Sequence, residues 1–287
     1  MLSDIKKILH ERGLHLNKKL GQHLLFDRNV LRKIVAACDP DDTDLIVEIG
    51  PGTGFLTEEF INVVGYGVVI EIDKGLVAYL HEKFYDTANM SIMHDDVLKC
   101  DLSHLCYQAV KKSQLFSLRR IKILGNLPYN ISTPIIQQIA QSQMPLDVCV
   151  FVVQKELAER YTASPGSKSY GSSSILLQYR FAIEKLFSVS KQCFYPKPDV
   201  DSTAIRLVPH KKPPVEVMNE DLFFNIVRTT FRQRRKMLKN SLKTLEELKD
   251  QADDLEAMLA RLKIPLSVRP EELSLEQFAL LANALSS

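Results

Sequence analysis

The segment Asn126-Leu127-Pro128-Tyr129 brings together residue types that suit one chemical task. Asn126 offers a side-chain carbonyl and Leu127 a backbone carbonyl, whereas Pro128 fixes the turn and adds no N–H that would compete for these acceptors. Tyr129 supplies a flat ring for stacking. Two acceptors beside an aromatic plane suit the exocyclic amine of a base, because they can hold its N–H groups and direct its lone pair at an electrophile.

The residues on either side predict where this segment lies in the fold. The apolar run Ile121–Leu124 precedes it and predicts a buried parallel strand. Ile131–Pro134 follows and predicts the start of a helix, with Ser132 or Thr133 as its N-cap. Open α/β sheets bind ligands at the carboxyl ends of their strands. Asn and Pro are also ordinary turn residues, so the segment alone does not distinguish a site from a capped loop.

A glycine-rich loop predicts a nucleotide-type site. The β-branched segment Asp44–Ile49 leads into Gly50-Pro51-Gly52-Thr53-Gly54, and a helix is predicted from Phe55 to about Val64. Strand, glycine loop and helix open a nucleotide-binding βαβ unit. The spacing is G-x-G-x-G rather than G-x-G-x-x-G, which favours a nucleoside over a pyrophosphate. Gly50 and Gly52 are therefore candidate ligand contacts, although such a loop alone is a weak signal.

Carboxylates follow the next two predicted strands. Glu71 ends the strand 67–73 and lies 21 positions after Gly50, near the spacing of roughly 20 residues expected for a carboxylate that holds ribose hydroxyls. Asp95 and Asp96 follow a third strand, about Met90 to Met93. Carboxylates tolerate a cationic sulfonium better than a phosphate, so the combined pattern predicts S-adenosylmethionine as the cofactor. Asp73 is predicted to cap the following helix, and Asp27 is predicted to cap a helix from Arg28 through Ala37.

Composition restricts the class of protein. The chain has 287 residues, a formal net charge of +2 and five cysteines without a C-x-x-C pair. Scattered cysteines predict reduced thiols and a cytoplasmic location. The histidines lack zinc-ligand spacing, so no metal is expected. No apolar run reaches about 18 residues, which predicts no membrane span.

The second half of the chain predicts further strands and then helices alone. Strands are predicted at Asp147–Val153 and Thr203–Val208, and Phe194, in the loop before the latter, is a candidate second aromatic wall opposite Tyr129. Residues 209–214 predict an interdomain linker. The predicted domains are therefore residues 1–209, with a basic arm at 1–33, and a helical domain at 215–287.

A basic helix is predicted in the C-terminal domain. Apolar residues at spacings of three, four and seven predict one helical face: Phe224, Val227, Phe231, Leu238, Leu242 and Leu245. The opposite face carries cations without an intervening acid: Arg228, Arg232, Arg234, Arg235, Lys236, Lys239 and Lys243. A basic face is often only solvated, but this uninterrupted run favours nucleic acid. Arg232, Arg234, Arg235 and Lys236 are the predicted RNA contacts, together with Lys18 and Lys19 of the arm.

Several motifs in order resemble one family. They are Asn17–Asp27, Glu48–Gly54, Glu71-Ile72-Asp73, Asp95-Asp96, Gly125–Pro134, Phe194–Ser202 and Phe231–Lys236. Together they make the chain closely similar, over nearly its whole length, to the ribosomal RNA adenine N6-dimethyltransferases of the small subunit, the KsgA (RsmA) family. The resemblance implies a Rossmann-like, seven-stranded methyltransferase sheet of the α/β class with a small all-α C-terminal domain.

The resemblance also implies an activity and a site. The activity is transfer of four methyl groups from S-adenosylmethionine onto two adjacent adenines near the 3′ end of 16S rRNA, in the small ribosomal subunit during late assembly. The positions matching the cofactor site are His23, Leu25, Gly50, Glu71, Asp96 and Asn126. The positions matching the target pocket are Asn126, Leu127, Tyr129 and Phe194. Many members have asparagine where this chain has His23.

Three alternatives share parts of this pattern. Enzymes that methylate large-subunit RNA and give macrolide resistance share the Asn-Leu-Pro-Tyr type of motif, but the Phe194–Ser202 loop and the Arg-Gln-Arg-Arg-Lys run favour the small-subunit class. A non-catalytic assembly factor on the same scaffold is disfavoured by the intact segment 126–129. A small-molecule methyltransferase is disfavoured by the basic arm and helix. The chain is expected to act as a monomer.

Overall fold

A computed structural model of the chain describes residues 2–17, 20–113, 120–142, 144–245 and 252–286. The predicted phosphate contacts Lys18 and Lys19 lie outside these residues. No helix in the described ranges is long and apolar enough to cross a membrane.

The first part of the fold is a seven-stranded sheet with a largely parallel arrangement. Its strands are β2 (Asp44–Ile49), β3 (Tyr66–Glu71), β4 (Met90–His94), β5 (Arg120–Asn126), β6 (Leu146–Gln154), β7 (Phe181–Val189) and β9 (Ser202–Pro209). They lie in the order β4-β3-β2-β5-β6-β9-β7, and β9 runs antiparallel to β6. Strands β2 and β3 are buried at every position, as expected for strands covered on both faces. The predicted α/β class and its seven-stranded sheet are confirmed.

A second, two-stranded sheet fixes the N-terminal arm. Strand β1 (Leu24–Leu25) pairs antiparallel with β8 (Phe194–Tyr195), and Leu25 lies opposite Phe194. The N–H of Phe26 also donates to the carbonyl of Cys193 at 3.0 Å. The arm therefore lies along the loop that precedes β9.

Helices alternate with the strands up to residue 161. They are α1 (Leu2–Glu11), α2 (Arg28–Cys38), α3 (Phe55–Phe60), α4 (Lys74–Lys83), α5 (Leu102–Ser113), α6 (Ser132–Gln141) and α7 (Lys155–Tyr161). Two predicted caps are confirmed. Asp27 accepts from the N–H of Val30 at the start of α2, and Asp73 accepts from Gly75 and Leu76 at the start of α4, so both carboxylates satisfy N–H groups that have no partner inside the helix.

Two helix termini differ from the prediction. Helix α3 ends at Phe60 rather than near Val64, because the side-chain amide of Asn89 donates to the carbonyls of Ile61 and Val64. The predicted Ser or Thr cap of α6 is wrong: the N-cap position is Ile131, which makes no side-chain cap. Ser132 instead donates its hydroxyl to the carbonyl of Pro128 at 2.8 Å.

The chain divides into two compact units. The first comprises residues 1–158 and 184–209, and the second comprises 159–183 and 210–287. The domain boundaries predicted at the 209–214 linker stay a prediction. Residues 159–183, which that prediction assigned to the first domain, belong to the second compact unit.

The second unit is built from helices packed around an aromatic core. They are α8 (Ser172–Arg180), α9 (Glu220–Arg232), α10 (Leu238–Leu242), α11 (Ala252–Arg261) and α12 (Leu275–Ser286). Phe223 and Phe278 are fully buried in this core. Helix α12 begins at Leu275, where Ser274 and Gln277 form a reciprocal side-chain cap.

The predicted continuous basic helix is wrong. Helix α9 ends at Arg232 and α10 begins at Leu238, with a turn at residues 233–237 between them. The turn is held by bonds to residues far away in the sequence: Leu238 N–H donates to the carbonyl of Val268, and Arg234 binds the carbonyl of Lys168. Arg234, Arg235 and Lys236 therefore project from a turn, not from a helical face.

Candidate functional site

The glycine loop after β2 needs glycine at specific positions. Gly50, Gly52 and Gly54 have φ angles of 69°, 57° and 73°, a left-handed region that glycine adopts at little cost. A Cβ at Gly52 would lie 2.5 Å from Leu24 Cδ2. The loop thus combines left-handed backbone with close packing, so a side chain at Gly52 would strain the backbone and require Leu24 to shift.

Glu71 holds this loop from the end of β3. Its side chain is buried, and its two oxygens accept from the N–H of Gly52 at 3.1 Å and of Asp73 at 3.0 Å. Burial raises the pKa of the Glu71 carboxyl, and hydrogen bonds from the backbone N–H groups of Asp73, Gly52 and Ile72 partly oppose that rise. A carboxylate has about four lone-pair sites, so the side chain can still accept from a ligand hydroxyl.

Asp96 lies at the end of the neighbouring strand and is also paired within the chain. Its carboxylate accepts from the N–H of Leu98 at 3.1 Å and lies 3.7 Å from the amine of Lys99. Asp96 and Glu71 line the same cavity. We call this part of the cavity, with residues 50–53, the glycine-loop end.

Glu48 is a buried carboxyl that the sequence reasoning did not single out. It is 1% exposed, accepts from the Thr57 hydroxyl at 2.5 Å and lines the cavity. Burial raises its pKa to about 8. The sequence did contain a signal for Glu48, because it is the one acid inside the otherwise apolar run 45–49. An ionisable residue in a buried parallel strand is a candidate for a functional role.

Asn126 is the last residue of β5, and its two amide atoms differ in their hydrogen bonding. The Nδ2 group donates to the carbonyl of His23 at 2.6 Å. The Oδ1 atom is buried and has no hydrogen-bond partner among the described residues. A buried acceptor without a partner is costly, so this oxygen is suited to accept from a ligand in the cavity. We call residues 126–129 the asparagine end.

Tyr129 is held by contacts on two sides. Its hydroxyl lies 2.6 Å from the Ser202 hydroxyl, and its ring centre lies 5.2 Å from that of His23, with the planes tilted by 32°. The His23 ring in turn donates through Nδ1 to the carbonyl of Pro196 at 2.7 Å. The contacts of His23 and Ser202 with Tyr129 were missed by sequence reasoning, since they join residues far apart in the chain.

Most of the predicted site residues lie around one cavity of about 250 Å³. Those that line it are His23, Leu25, Gly50, Gly52, Glu71, Asp96, Asn126, Leu127, Pro128 and Tyr129. Phe194 is only 2% exposed, pairs with Leu25 and packs in the core. It is not among the described lining residues, and its role as a second aromatic wall stays a prediction.

The predicted RNA-binding cations lie around an open groove in the second unit. Besides Arg232, Arg234, Arg235 and Lys236, the lining includes Ser167, Lys168, Arg269 and Glu271. Arg234 forms an ion pair with Glu271 and donates to the carbonyls of Ser167 and Lys168. Arg232, Arg235 and Lys236 are exposed. The cations therefore divide into one that holds the turn and others that face solvent.

Possible metal ligands do not gather anywhere in the described ranges. No group of three or more His, Cys, Asp or Glu side chains there has the geometry to hold an ion. The five cysteines are all free thiols.

The strand order, the glycine loop and the acids that follow β3 and β4 define a class I methyltransferase fold. Residues 13–287 match the family model described as ribosomal RNA adenine dimethylase. The chain belongs to the ribosomal RNA adenine dimethylase family.

Curated relatives match almost the whole chain. It is 39% identical over 281 residues to the ribosomal RNA small subunit methyltransferase A of Geobacillus sp. (strain WCH70), covering 98% of this chain and 95% of the relative. It is 38% identical over 279 residues to the protein of the same name from Halothermothrix orenii, covering 97% and 91%.

Solved structures share the fold. A dimethyladenosine transferase from Plasmodium falciparum superposes with a TM-score of 0.71 at 24% identity, covering 90% of this chain and 96% of the other. The 23S rRNA methyltransferase ErmE superposes with a TM-score of 0.67 at 22% identity, covering 92% and 100%. At these identities the likeness supports the fold alone.

Proposed function

We propose that this chain transfers methyl groups from S-adenosylmethionine to N6 of two adjacent adenosines near the 3′ end of 16S rRNA, within the small ribosomal subunit during late assembly. The observation that carries this proposal is that Asn126 lines the cavity and its buried Oδ1 has no partner among the described residues. The family and the names of the curated relatives support the substrate. We place the enzyme in the cytoplasm as a monomer.

The glycine-loop end fits a cationic nucleoside. Residues 50–53 line the cavity with no side chain at Gly50 or Gly52, and Glu71 and Asp96 line the same space. In this assignment Glu71 accepts from the ribose hydroxyls and Asp96 from the adenine amino group, while His23 and Leu25 close the cavity from the arm. S-adenosylmethionine supplies an electrophilic methyl group on a sulfonium when bound there.

The asparagine end fits the target base. The adenine leaves its stack, and its ring stacks on Tyr129. Asn126 Oδ1 and the Leu127 carbonyl each accept one N–H of N6, so the nitrogen becomes more pyramidal and its lone pair points at the methyl carbon. The N6–C bond forms as the S–C bond breaks. N6 then carries the positive charge and releases a proton to water, so no strong base is needed.

The groove in the second unit supplies backbone contacts in this proposal. Arg232, Arg235 and Lys236 are exposed cations that can reach phosphate oxygens, and such contacts position an RNA without reading its bases. Arg234, already bonded within the chain, holds the turn that presents them. Lys18 and Lys19 remain predicted contacts of the arm.

The test is modification mapping on purified subunits. Small subunits that lack adenine methylation are incubated with the wild-type chain and S-adenosylmethionine, and primer extension locates modified adenines. We expect dimethylation of two adjacent adenosines near the 3′ end of 16S rRNA. Methylation of large-subunit RNA instead would assign the chain to the macrolide-resistance class. Binding to the subunit without any methyl transfer would indicate an assembly factor.

A further inference from the structure

We propose that Lys83, at the end of α4, is a positioning residue that fixes the glycine loop together with Glu71 and so sets the affinity for the cofactor. The inference rests on the proposed cofactor, because the loop lines the proposed cofactor cavity. Lys83 itself is not a lining residue among those described for this cavity, so it acts through the loop rather than by contact.

The amine of Lys83 bonds both to the glycine loop and to the helix that follows it. Its Nζ donates to the carbonyl of Thr53 at 2.7 Å and to the carboxylate of Glu58 at 2.9 Å. The side chain is only 14% exposed. One bond therefore reaches the loop itself, and the other reaches the first turn of α3 that follows it.

Aromatic rings surround the same amine. The Nζ lies 4.7 Å from the ring centre of Phe55, 5.3 Å from that of Phe84 and 5.8 Å from that of Tyr79. Rings at these distances attract a cation through their electron-rich faces. Burial lowers the pKa of the Lys83 amine, and the Glu58 carboxylate opposes that shift. The amine is thus held in place rather than free to explore solvent.

The loop has reason to need such a support. Three left-handed glycines in five residues give it many accessible backbone conformations. On the cavity side, the Glu71 side chain holds the loop by accepting from the N–H of Gly52. A Cβ at Gly54 would lie 2.7 Å from the Phe84 ring, so the end of α4 packs directly against the loop. Lys83 and Glu71 consequently hold backbone groups of adjacent residues, the carbonyl of Thr53 and the N–H of Gly52.

The function of this arrangement follows from preorganisation. A loop that is already in its binding conformation loses less conformational entropy when the cofactor binds. Removing the Lys83 bond should therefore weaken cofactor binding and leave the reacting groups untouched. The signature is a raised KM for S-adenosylmethionine with an unchanged kcat at saturating cofactor.

The experiment compares Lys83→Met, Lys83→Arg and Lys111→Met in the full chain. Lys111 is the matched control, because it is exposed and lies 5.7 Å from the Tyr107 ring without contacting the loop. Calorimetry should show an S-adenosylmethionine Kd about tenfold higher for Lys83→Met, the size expected for one charged hydrogen bond. Lys83→Arg should recover most of the affinity, and Lys111→Met should match wild type.

A second measurement needs no cofactor. Amide hydrogen exchange at residues 50–54 in the cofactor-free chain should be faster in Lys83→Met than in wild type or Lys111→Met. If Lys83→Met does not fold, Lys83→Gln takes its place in the same comparison. Wild-type loop exchange together with wild-type Kd would overturn the role of Lys83. A wild-type chain that binds no S-adenosylmethionine would refute the proposed cofactor instead, and the exchange data would still decide the role of Lys83.

Discussion

The two ends of the cavity differ in whether their polar groups already have hydrogen-bond partners within the chain. At the glycine-loop end, Glu71 and Asp96 already accept hydrogen bonds from backbone N–H groups. At the asparagine end, the Nδ2 of Asn126 is bonded to His23, but its Oδ1 has no partner among the described residues. The first arrangement gives a rigid binding surface, whereas the second leaves one acceptor available for the substrate.

This difference separates binding from catalysis. Internal bonds at the glycine-loop end fix the shape that a ligand meets, which reduces the entropy lost on binding. An oriented but unsatisfied acceptor at the asparagine end gains a partner only when the substrate amine arrives, so its stabilisation can grow as charge develops on that amine. Variants at the two ends should therefore move different kinetic constants.

Asn126→Ala should break the asparagine end with the largest effect. Loss of one positioned acceptor should lower kcat by roughly 100-fold or more, because a preorganised dipole acts where charge develops. Methyl incorporation into unmethylated small subunits under single-turnover conditions measures this loss. Asn240→Ala, at an exposed asparagine, is the control and should retain full activity. Wild-type turnover in Asn126→Ala would remove Asn126 from the mechanism.

Glu71→Ala should damage the opposite end and weaken cofactor binding. Removal of the charged hydrogen bond should cost about 1.5–3 kcal/mol, and the Gly52 N–H loses its internal acceptor as well. Calorimetry with S-adenosylmethionine measures the change, and filter binding to subunits should show RNA affinity near wild type. Unchanged cofactor affinity would exclude Glu71 from the site. It would also remove the proposed difference in cofactor binding between the two ends.

Tyr129 tests whether the asparagine end needs a ring or a hydroxyl. Tyr129→Ala should lose stacking worth about 1–3 kcal/mol, whereas Tyr129→Phe keeps the ring and should retain much of the activity. The Phe variant does lack the hydroxyl that lies 2.6 Å from Ser202, and Ser202→Ala removes the same hydrogen bond without touching the ring. Equal losses in Tyr129→Phe and Tyr129→Ala would mean that the hydroxyl, not the face of the ring, is essential.

Sequence reasoning succeeded where the signal is local. The glycine loop and Glu71 were predicted because strand, loop and carboxylate follow one another within a single βαβ unit, and the structure brings them to one cavity. The caps Asp27 and Asp73 were predicted for the same reason. In each of these cases the partners lie within a few residues or one strand–helix unit of each other.

The predictions that were wrong or missing concern regions where distant contacts override a local sequence pattern. The apolar spacing from Phe224 to Leu245 predicted one helix, but the bonds from Leu238 to Val268 and from Arg234 to Lys168 break it. The contact of His23 with Tyr129 likewise depends on the pairing of the arm with the loop at Phe194. No periodicity encodes such pairings, because they arise from tertiary packing.

Substitution of the exposed cations in the groove should have the smallest effect. It should change the affinity for the small subunit and not the rate of methyl transfer. Arg235 and Lys236 face solvent, whereas Arg234 is bonded to Glu271 and to two backbone carbonyls. Phosphate contacts act largely through counterion release. The double change Arg235→Ala and Lys236→Ala should therefore weaken subunit binding and flatten the slope of log affinity against log salt, by roughly 0.7–0.9 for each phosphate that is no longer neutralised.

The matched control is Lys211→Ala with Lys212→Ala, since it removes the same charge from exposed positions that are not among the groove's described lining. That pair should leave the salt slope unchanged. Arg234→Ala should behave differently from both, because it leaves Glu271 without its ion-pair partner and should lower the melting temperature of the chain. Cofactor affinity should stay at wild type in the Arg235–Lys236 variant, because Gly50, Glu71 and Asp96 lie in the other unit. A native salt slope in that variant would mean that these cations are only solvated.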